Sequence, residues 1–214
     1  MFQYDSPIMS ALNKLTDIIL LNICTLICCL PIITIGASLT AAHYTALKMH
    51  RDTDNYVIKN FFHSFRQNLI QSTGLWLLWA VIAFISLTAY QMYGQVEGTL
   101  SFLQGVVAAF MIFLVMIALW MFPVQARFIN PIRRVIMNAF TLSFKHFIRT
   151  VLMIMVVVLG ACMWLVGTKL FWIPLLFGFS VPIYLCAMIY NKVFLELEEK
   201  IKNRLELETE PECE

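Results

Sequence analysis

Charged residues are scarce in this chain of 214 residues: they make up 13% of it, whereas 60% of the residues are hydrophobic. Soluble domains carry about 25% charged residues, so an ordinary soluble domain is excluded. No lysine, arginine, aspartate or glutamate occurs in the five runs 18–47, 67–96, 98–126, 150–168 and 170–191. Each run can supply the roughly 20 apolar residues that cross a bilayer. The sequence therefore predicts an all-α polytopic membrane helix bundle with five transmembrane helices.

The sequence also lacks the usual signatures of catalysis and of metal or nucleotide binding. No acidic or basic residue lies near the middle of an apolar run, which disfavours a proton-coupled pump or an ion exchanger. No histidine pair has the i, i+4 spacing with an intervening glutamate, and no Gly-x-x-x-x-Gly-Lys phosphate loop occurs. The cysteines inside the runs are interpreted as small packing residues. We expect no enzyme activity, catalytic residue, metal or cofactor, and no nucleic-acid partner, since no segment is more basic than topology requires.

Basic residues indicate the orientation of the chain. Thirteen of the fifteen lysines and arginines lie in the segments 48–66, 127–149 and 192–204, which alternate with segments that have almost none. Because positively charged loops stay on the cytoplasmic side, we expect these three segments inside, the C-terminus inside and the N-terminus outside. A cleavable signal peptide is disfavoured, because the first thirteen residues carry no basic side chain.

The first apolar run, 18–47, is interrupted by Pro31, which cannot donate a backbone hydrogen bond to Ile27. Two alternatives stay open: one kinked span, or a re-entrant hairpin that leaves the N-terminus inside. Small and polar residues form one stripe in this run. Such a stripe usually marks a helix packing face, and the lining of a solute pathway is the sharper hypothesis. The stripe consists of Asn22, Thr25, Cys29, Pro31, Thr34, Gly36 and Thr40.

Two of the basic segments have aromatic residues at steps of three and four, which predicts amphipathic cytoplasmic helices. Aligned at an offset of 79 residues, the two segments share two phenylalanines, a serine and a basic residue, so we hypothesise parallel structural repeats. Aromatic faces beside cations bind anionic lipid or dock a partner's membrane helix. The candidate surface comprises Phe61, Ser64, Phe65, Arg66 and Asn68 in the first segment and Phe140, Ser143, Phe144 and Lys145 in the second.

The distribution of acidic residues suggests how the chain is divided. Eight of the thirteen aspartates and glutamates follow residue 195. We therefore expect a single membrane domain over residues 1–195 and an acidic cytoplasmic tail over residues 196–214.

Five stretches carry a family resemblance: YDSP at 4–7, LN at 21–22, LPIITIGA at 30–37, TA at 40–41 and NFFHSFRQN at 60–68. They are similar to the YesL family of bacterial membrane proteins, a domain of unknown function often encoded beside carbohydrate uptake and polysaccharide utilisation systems. The resemblance implies a multi-pass protein of the bacterial cell membrane without catalytic residues. It also implies an accessory or assembly role beside the membrane subunits of a carbohydrate ABC-type importer. The alternative is a transporter or channel component for a neutral solute such as a sugar.

Overall fold

The computed structural model of the chain describes residues 7–51, 56–95, 101–128, 130–166 and 172–209. These residues form helices, and no strand occurs among them, so the predicted all-α class is confirmed. In order, the helices are α1 (Pro7–Cys29), a 3-10 turn (Ile32–Thr34), α2 (Ile35–His50), α3 (Val57–Gly94), α4 (Ser101–Arg127), α5 (Ile132–Lys145), α6 (Phe147–Val166), α7 (Trp172–Phe177) and α8 (Ser180–Thr209).

Four described stretches are helical, long and apolar enough to cross a membrane: Leu12–Cys29, Val57–Gly94, Phe102–Arg127 and Pro174–Arg204. The pair α5 and α6 supplies a fifth if the two helices, which meet at 100°, count as one broken span. Helices suit the bilayer because each bonds its own backbone groups where no water is available. The structure is therefore the polytopic helix bundle that the apolar runs predict.

The first apolar run is built as two helices rather than one kinked span. α1 ends at Cys29, and the chain reverses at Pro31 and the 3-10 turn before α2 begins. The hydroxyl of Ser38 donates to the carbonyl of Thr25 at 3.0 Å, 13 residues away, whereas 13 residues of straight helix extend about 20 Å. The run is thus an antiparallel hairpin, the second of the two alternatives. As a result, the start of α1 lies on the same side of the bundle as Arg51.

α2 is the central helix of the bundle. Ten of its 16 residues are buried, and most of these are small. Small side chains let neighbouring backbones approach closely, and α2 contacts α1, α3, α4 and α8. Three of the four largest fully buried rings, Trp120, Tyr190 and Phe194, lie near the end of the bundle that carries Arg51 and Glu198. This end is called the charged end below.

The two amphipathic segments continue differently into their spans. The first is the beginning of α3, one helix of 38 residues, whereas the second is a separate helix, α5, which ends at Lys145. The hydroxyl of Thr150 lies at the bend between α5 and α6, 3.1 Å from the carbonyl oxygens of both Ser143 and His146. Trp120 Nε1 donates to this hydroxyl at 2.9 Å. Thr150 therefore bonds the carbonyl of Ser143, which the bend frees, while the carbonyl of His146 also accepts from the backbone N–H of Thr150 at 3.0 Å.

The repeat hypothesis stays a prediction. The aligned serines, Ser64 and Ser143, are both fully buried, as the alignment requires. The aligned aromatic rings differ, because Phe61 is fully buried and Phe140 is exposed. The shared sequence therefore places the serines, and not the phenylalanines, in comparable surroundings.

α8 passes through the expected domain boundary at residue 195 without a break and ends at Thr209. Its 30 residues extend about 45 Å, which exceeds the roughly 30 Å of a hydrocarbon core. About the last third of α8 therefore projects from the charged end. The division into a membrane domain and a tail stays a prediction, and residues 210–214 lie outside the described residues.

Candidate functional site

Asn22 is fully buried in α1 and holds the turn between α7 and α8. Its Nδ2 donates to the carbonyl of Leu175 at 2.7 Å, and its Oδ1 accepts from the backbone N–H groups of Phe179 and Ser180, both at 3.0 Å. The first N–H groups of a helix have no partner within that helix. Because α8 begins at Ser180, Asn22 caps it from a distant part of the chain.

The threonines of the stripe bond to backbone carbonyls within the α1–α2 hairpin. Their hydroxyls donate as follows: Thr25 to Leu21 at 2.7 Å, Thr34 to Cys28 at 2.8 Å and Thr40 to Gly36 at 2.9 Å. Thr25 and Thr40 are fully buried, Cys29 is half-buried and Pro31 is exposed at the turn. The hydroxyl groups of the stripe are therefore already bonded to backbone carbonyls of the hairpin.

Gly36 marks a close approach of α2 to α3. A Cβ atom at this position would collide with the carbonyl oxygen of Ser72 and with Cβ of Trp76. The indole of Trp76 also donates from Nε1 to the carbonyl of Ile32 at 3.0 Å, which ties the hairpin turn to α3. Gly74, on the same stretch of α3, has no atom within 4 Å of such a Cβ. Gly36 of the stripe thus lies in the packing contact between α2 and α3.

The predicted partner surface divides into buried and accessible residues. Phe61, Ser64 and Ser143 are fully buried, so they cannot contact a partner, and this part of the prediction is corrected. The reason is that each helix turns this side inward: the hydroxyl of Ser143, for example, donates to the carbonyl of Met116 in α4 at 3.0 Å. The spacing of the aromatic residues indicates an apolar helix face, but it does not indicate whether protein or lipid covers that face.

The remaining residues of that surface fall into two groups. Phe65 and Asn68 are half-buried, and Asn68 bonds within the bundle to Ser64 and Gln125. The accessible residues are Arg66 on α3 and Phe140, Phe144 and Lys145 on α5. Both exposed rings pack one side against Phe113 of α4, with ring centroids 5.4 and 5.6 Å apart.

A charged cluster that the sequence analysis missed joins α2, α4 and α8. Arg51 donates from Nη1 to both carboxylate oxygens of Glu198 at 3.1 Å and from Nε to Oδ1 of Asn191 at 2.7 Å. Arg127 donates from Nε to Glu198 at 2.7 Å. The side chains of Arg51 and Glu198 are 17% and 27% exposed, so water screens their attraction less than it would at an open surface.

A sequence signal for this cluster existed. Asn191 and Glu198 are seven residues apart, which puts them on one face of a helix. Arg51 and Arg127 each stand just beyond the end of an apolar run. The spacing of Asn191 and Glu198 could indicate a polar helix face near the end of an apolar run. It could not show which arginines bind that face.

A cavity of about 560 Å³ lies between α2, α3, α4, α6 and α8. Its wall is built mainly from aliphatic and aromatic side chains, among them Trp79, Phe122 and Ile183. Of the fifteen described residues that line the cavity, His43 is the only basic one, and none of the fifteen belongs to the stripe. The size is within the range of small-molecule pockets, roughly 300–1,000 Å³.

In the described part of the chain, no group of three histidine, cysteine, aspartate or glutamate side chains is placed to hold a metal ion. The described cysteines are free thiols, and Cys213 lies outside the described residues. They are Cys24, Cys28, Cys29, Cys162 and Cys186.

Comparison with known proteins gives one match. The family model described as "Protein of unknown function, DUF624" matches residues 18–90, which comprise the later part of α1, all of α2 and most of α3. No curated protein and no solved structure matches the chain. Over the hairpin and α3, the chain is therefore similar to a family whose description assigns no function.

Proposed function

We propose that this chain is a non-enzymatic membrane protein that acts as an accessory or assembly partner of a carbohydrate uptake system. The observation that carries the proposal is the state of the stripe: Asn22, Thr25 and Thr40 are buried and bond within the bundle. A passage for a hydrophilic solute needs polar groups that are free to replace the solute's water. The polar groups of the stripe are already bonded within the bundle. They therefore disfavour a solute passage and favour a protein that binds other proteins.

The carbohydrate part of the proposal rests on the resemblance to the YesL family. The proposed partners are the membrane subunits of an ABC-type importer. The chain itself has no phosphate-binding loop, so a nucleotide that drives uptake would be bound by another subunit.

The proposed docking surface is the outer face of α5. Met137, Phe140 and Phe144 are 58%, 45% and 52% exposed, and Thr141 is exposed beside them. Their spacing of three and four residues places them on one helix face. An exposed apolar face at helical spacing fits a partner helix, and Lys145 at its end adds a cation.

A photo-crosslinking residue at Thr141 tests the docking surface in intact cells. We expect it to capture a membrane subunit of a carbohydrate importer, identified by mass spectrometry. Phe144→Glu should abolish capture while membrane insertion is unchanged, because it places a charge in the apolar contact. A crosslinker at Leu78, an exposed position on α3, is the matched control and should capture lipid only. Lipid adducts alone at Thr141, with normal sugar uptake in a deletion strain, would refute the proposal.

Transport of a neutral solute is the competing function. It requires a polar passage, whereas the cavity of 560 Å³ has an almost entirely apolar wall. Purified protein in liposomes should therefore give no sugar flux above that of protein-free liposomes. Saturable flux would replace the accessory role with transport.

We also propose that the start of α1 and the end of α8 are both cytoplasmic, in a bacterial cell membrane. The basic segments favour a cytoplasmic charged end. Because α1 and α2 are antiparallel, the start of α1 lies at that end as well. This topology takes the place of the outside N-terminus, which was expected for a run 18–47 that crosses once.

A further inference from the structure

The apolar cavity lies at the depth of the membrane hydrocarbon. Val115 of α4 and Val157 of α6 line it and are 42% and 41% exposed. Both lie near the middle of their apolar runs, which places this part of the wall at the level of the lipid chains. Near Gly160 the wall is closed, because a Cβ there would lie 2.5 Å from Cγ of Pro182 in α8.

His43 brings one polar ring into this wall, and two contacts with Tyr190 bear on its tautomer. Its Nδ1 is 3.3 Å from the hydroxyl oxygen of Tyr190, and that hydroxyl donates to the backbone carbonyl of His43 at 3.3 Å. A tyrosine hydroxyl has a single proton. Both contacts can be made at once only if that proton goes to the carbonyl and Nδ1 carries a hydrogen, so we assign this tautomer. The neutral imidazole then keeps its lone pair at Nε2.

Nε2 of His43 has no hydrogen-bond partner among the described residues, although the ring lines the cavity. The indole of Trp79, also in the wall, already donates to the carbonyl of Leu114 at 3.1 Å. An acceptor in apolar surroundings is unfavourable until it meets a donor. The cavity thus combines an apolar wall with one unused acceptor.

We propose that the cavity binds a neutral lipid with a free hydroxyl group, of the class of long-chain alcohols and diacylglycerols. The hydrocarbon chain enters between α4 and α6 and fills the apolar space, where it replaces a void with dispersion contacts. The hydroxyl donates to Nε2 of His43. A charged headgroup is disfavoured, because no acidic side chain and no lysine or arginine lines the described wall.

Competition for a photoreactive analogue of cetyl alcohol tests the proposal with the full chain in nanodiscs. The competitors are cetyl alcohol, cetyl methyl ether and cetane, which share a chain but differ in the hydroxyl. We expect labelling of cavity residues and competition by cetyl alcohol at least about fivefold stronger than by the ether, which cannot donate a hydrogen bond. Equal competition by the alcohol and the ether would overturn the proposal.

Two variants test separately the apolar space of the cavity and the hydrogen bond to Nε2 of His43. His43→Phe keeps an aromatic ring but removes Nε2, so the three competitors should become equal while labelling persists. Ala118→Phe should abolish labelling by filling the cavity, whereas Ala109→Phe, on the exposed side of the same helix, should not. Labelling that survives Ala118→Phe, or that maps to a neighbouring copy of the chain, would contradict the proposed site. If a variant does not fold, the competition in the unmodified chain still decides.

Discussion

Asn22 shows what one amide can do inside a membrane protein. It satisfies three backbone groups of the α7–α8 turn, which lies more than 150 residues away along the chain. In a bilayer no water can replace such bonds. In the sequence, Asn22 could line a solute pathway. In the structure, it links α1 to the start of α8 through hydrogen bonds.

We predict that Asn22→Leu lowers the free energy of unfolding by about 1–3 kcal/mol, because it leaves buried backbone donors unsatisfied. The measurement is thermal unfolding of the purified protein in detergent. Asn13→Leu replaces an exposed amide of the same helix and is the control, for which we expect little change. Equal unfolding temperatures for the two variants would mean that the bonds of Asn22 do not hold the turn.

At the scale of the element, α2 determines how closely the bundle packs. It is short, largely buried and rich in small residues, so its neighbours approach its backbone. Where α2 meets α3 at Gly36, no room exists for a side chain. A larger residue there must separate the two helices or distort one of them.

Gly36→Ala should destabilise the protein by about 1–3 kcal/mol, the usual effect of overpacking. Gly74→Ala is the matched control: its Cβ meets open space, and alanine is the better helix former, so stability should be unchanged or slightly higher. Unfolding in detergent measures both. A Gly74 variant as unstable as the Gly36 variant would contradict close packing as the cause.

The charged cluster joins three elements and predicts a second stability effect. Glu198→Gln removes the carboxylate that both Arg51 and Arg127 bind, and we expect a loss of about 1–2 kcal/mol, between the values for exposed and buried pairs. Glu206→Gln, in an exposed i, i+4 pair with Lys202, should lose less than about 1 kcal/mol. Thermal unfolding at low and high salt measures both, and a larger effect at Glu206 would argue against the cluster as a link between helices.

At the scale of the whole molecule, the antiparallel order of the helices determines which loops share a side. α1 and α2 pack antiparallel, as do α2 and α3, α3 and α4, and α6 and α8. Arg51 and Arg127, which belong to two of the basic segments, consequently share the charged end with the start of α1. Positively charged segments usually stay on the cytoplasmic side of a membrane. Because α1 and α2 form a hairpin, the chain can follow this rule without moving its N-terminus across the membrane.

Reporter fusions after Asn55, Arg134 and Arg204 should report the inside, and fusions after Gly98 and Lys169 the outside, because the basic residues stay cytoplasmic. An N-terminal tag should be accessible from the cytoplasm only. Protease protection in inverted and right-side-out vesicles checks the tag independently. An outside signal after Arg134, or a tag exposed at the cell surface, would require a different topology.

The sequence by itself determined the helical class and the apolar runs that are long enough to cross a membrane, and it predicts a common side for the basic segments. These follow from local properties, since a backbone in hydrocarbon must bond within its own helix and each loop carries its own charge. Only the tertiary structure decided that Pro31 reverses the chain, that Phe61 faces protein while Phe140 is exposed, and that Arg51 meets Glu198. Such contacts join residues far apart in sequence, and apolar helix faces pack almost equally well on lipid or protein. Hydropathy and spacing therefore cannot choose the partner, whereas the fitted surfaces of the folded bundle do.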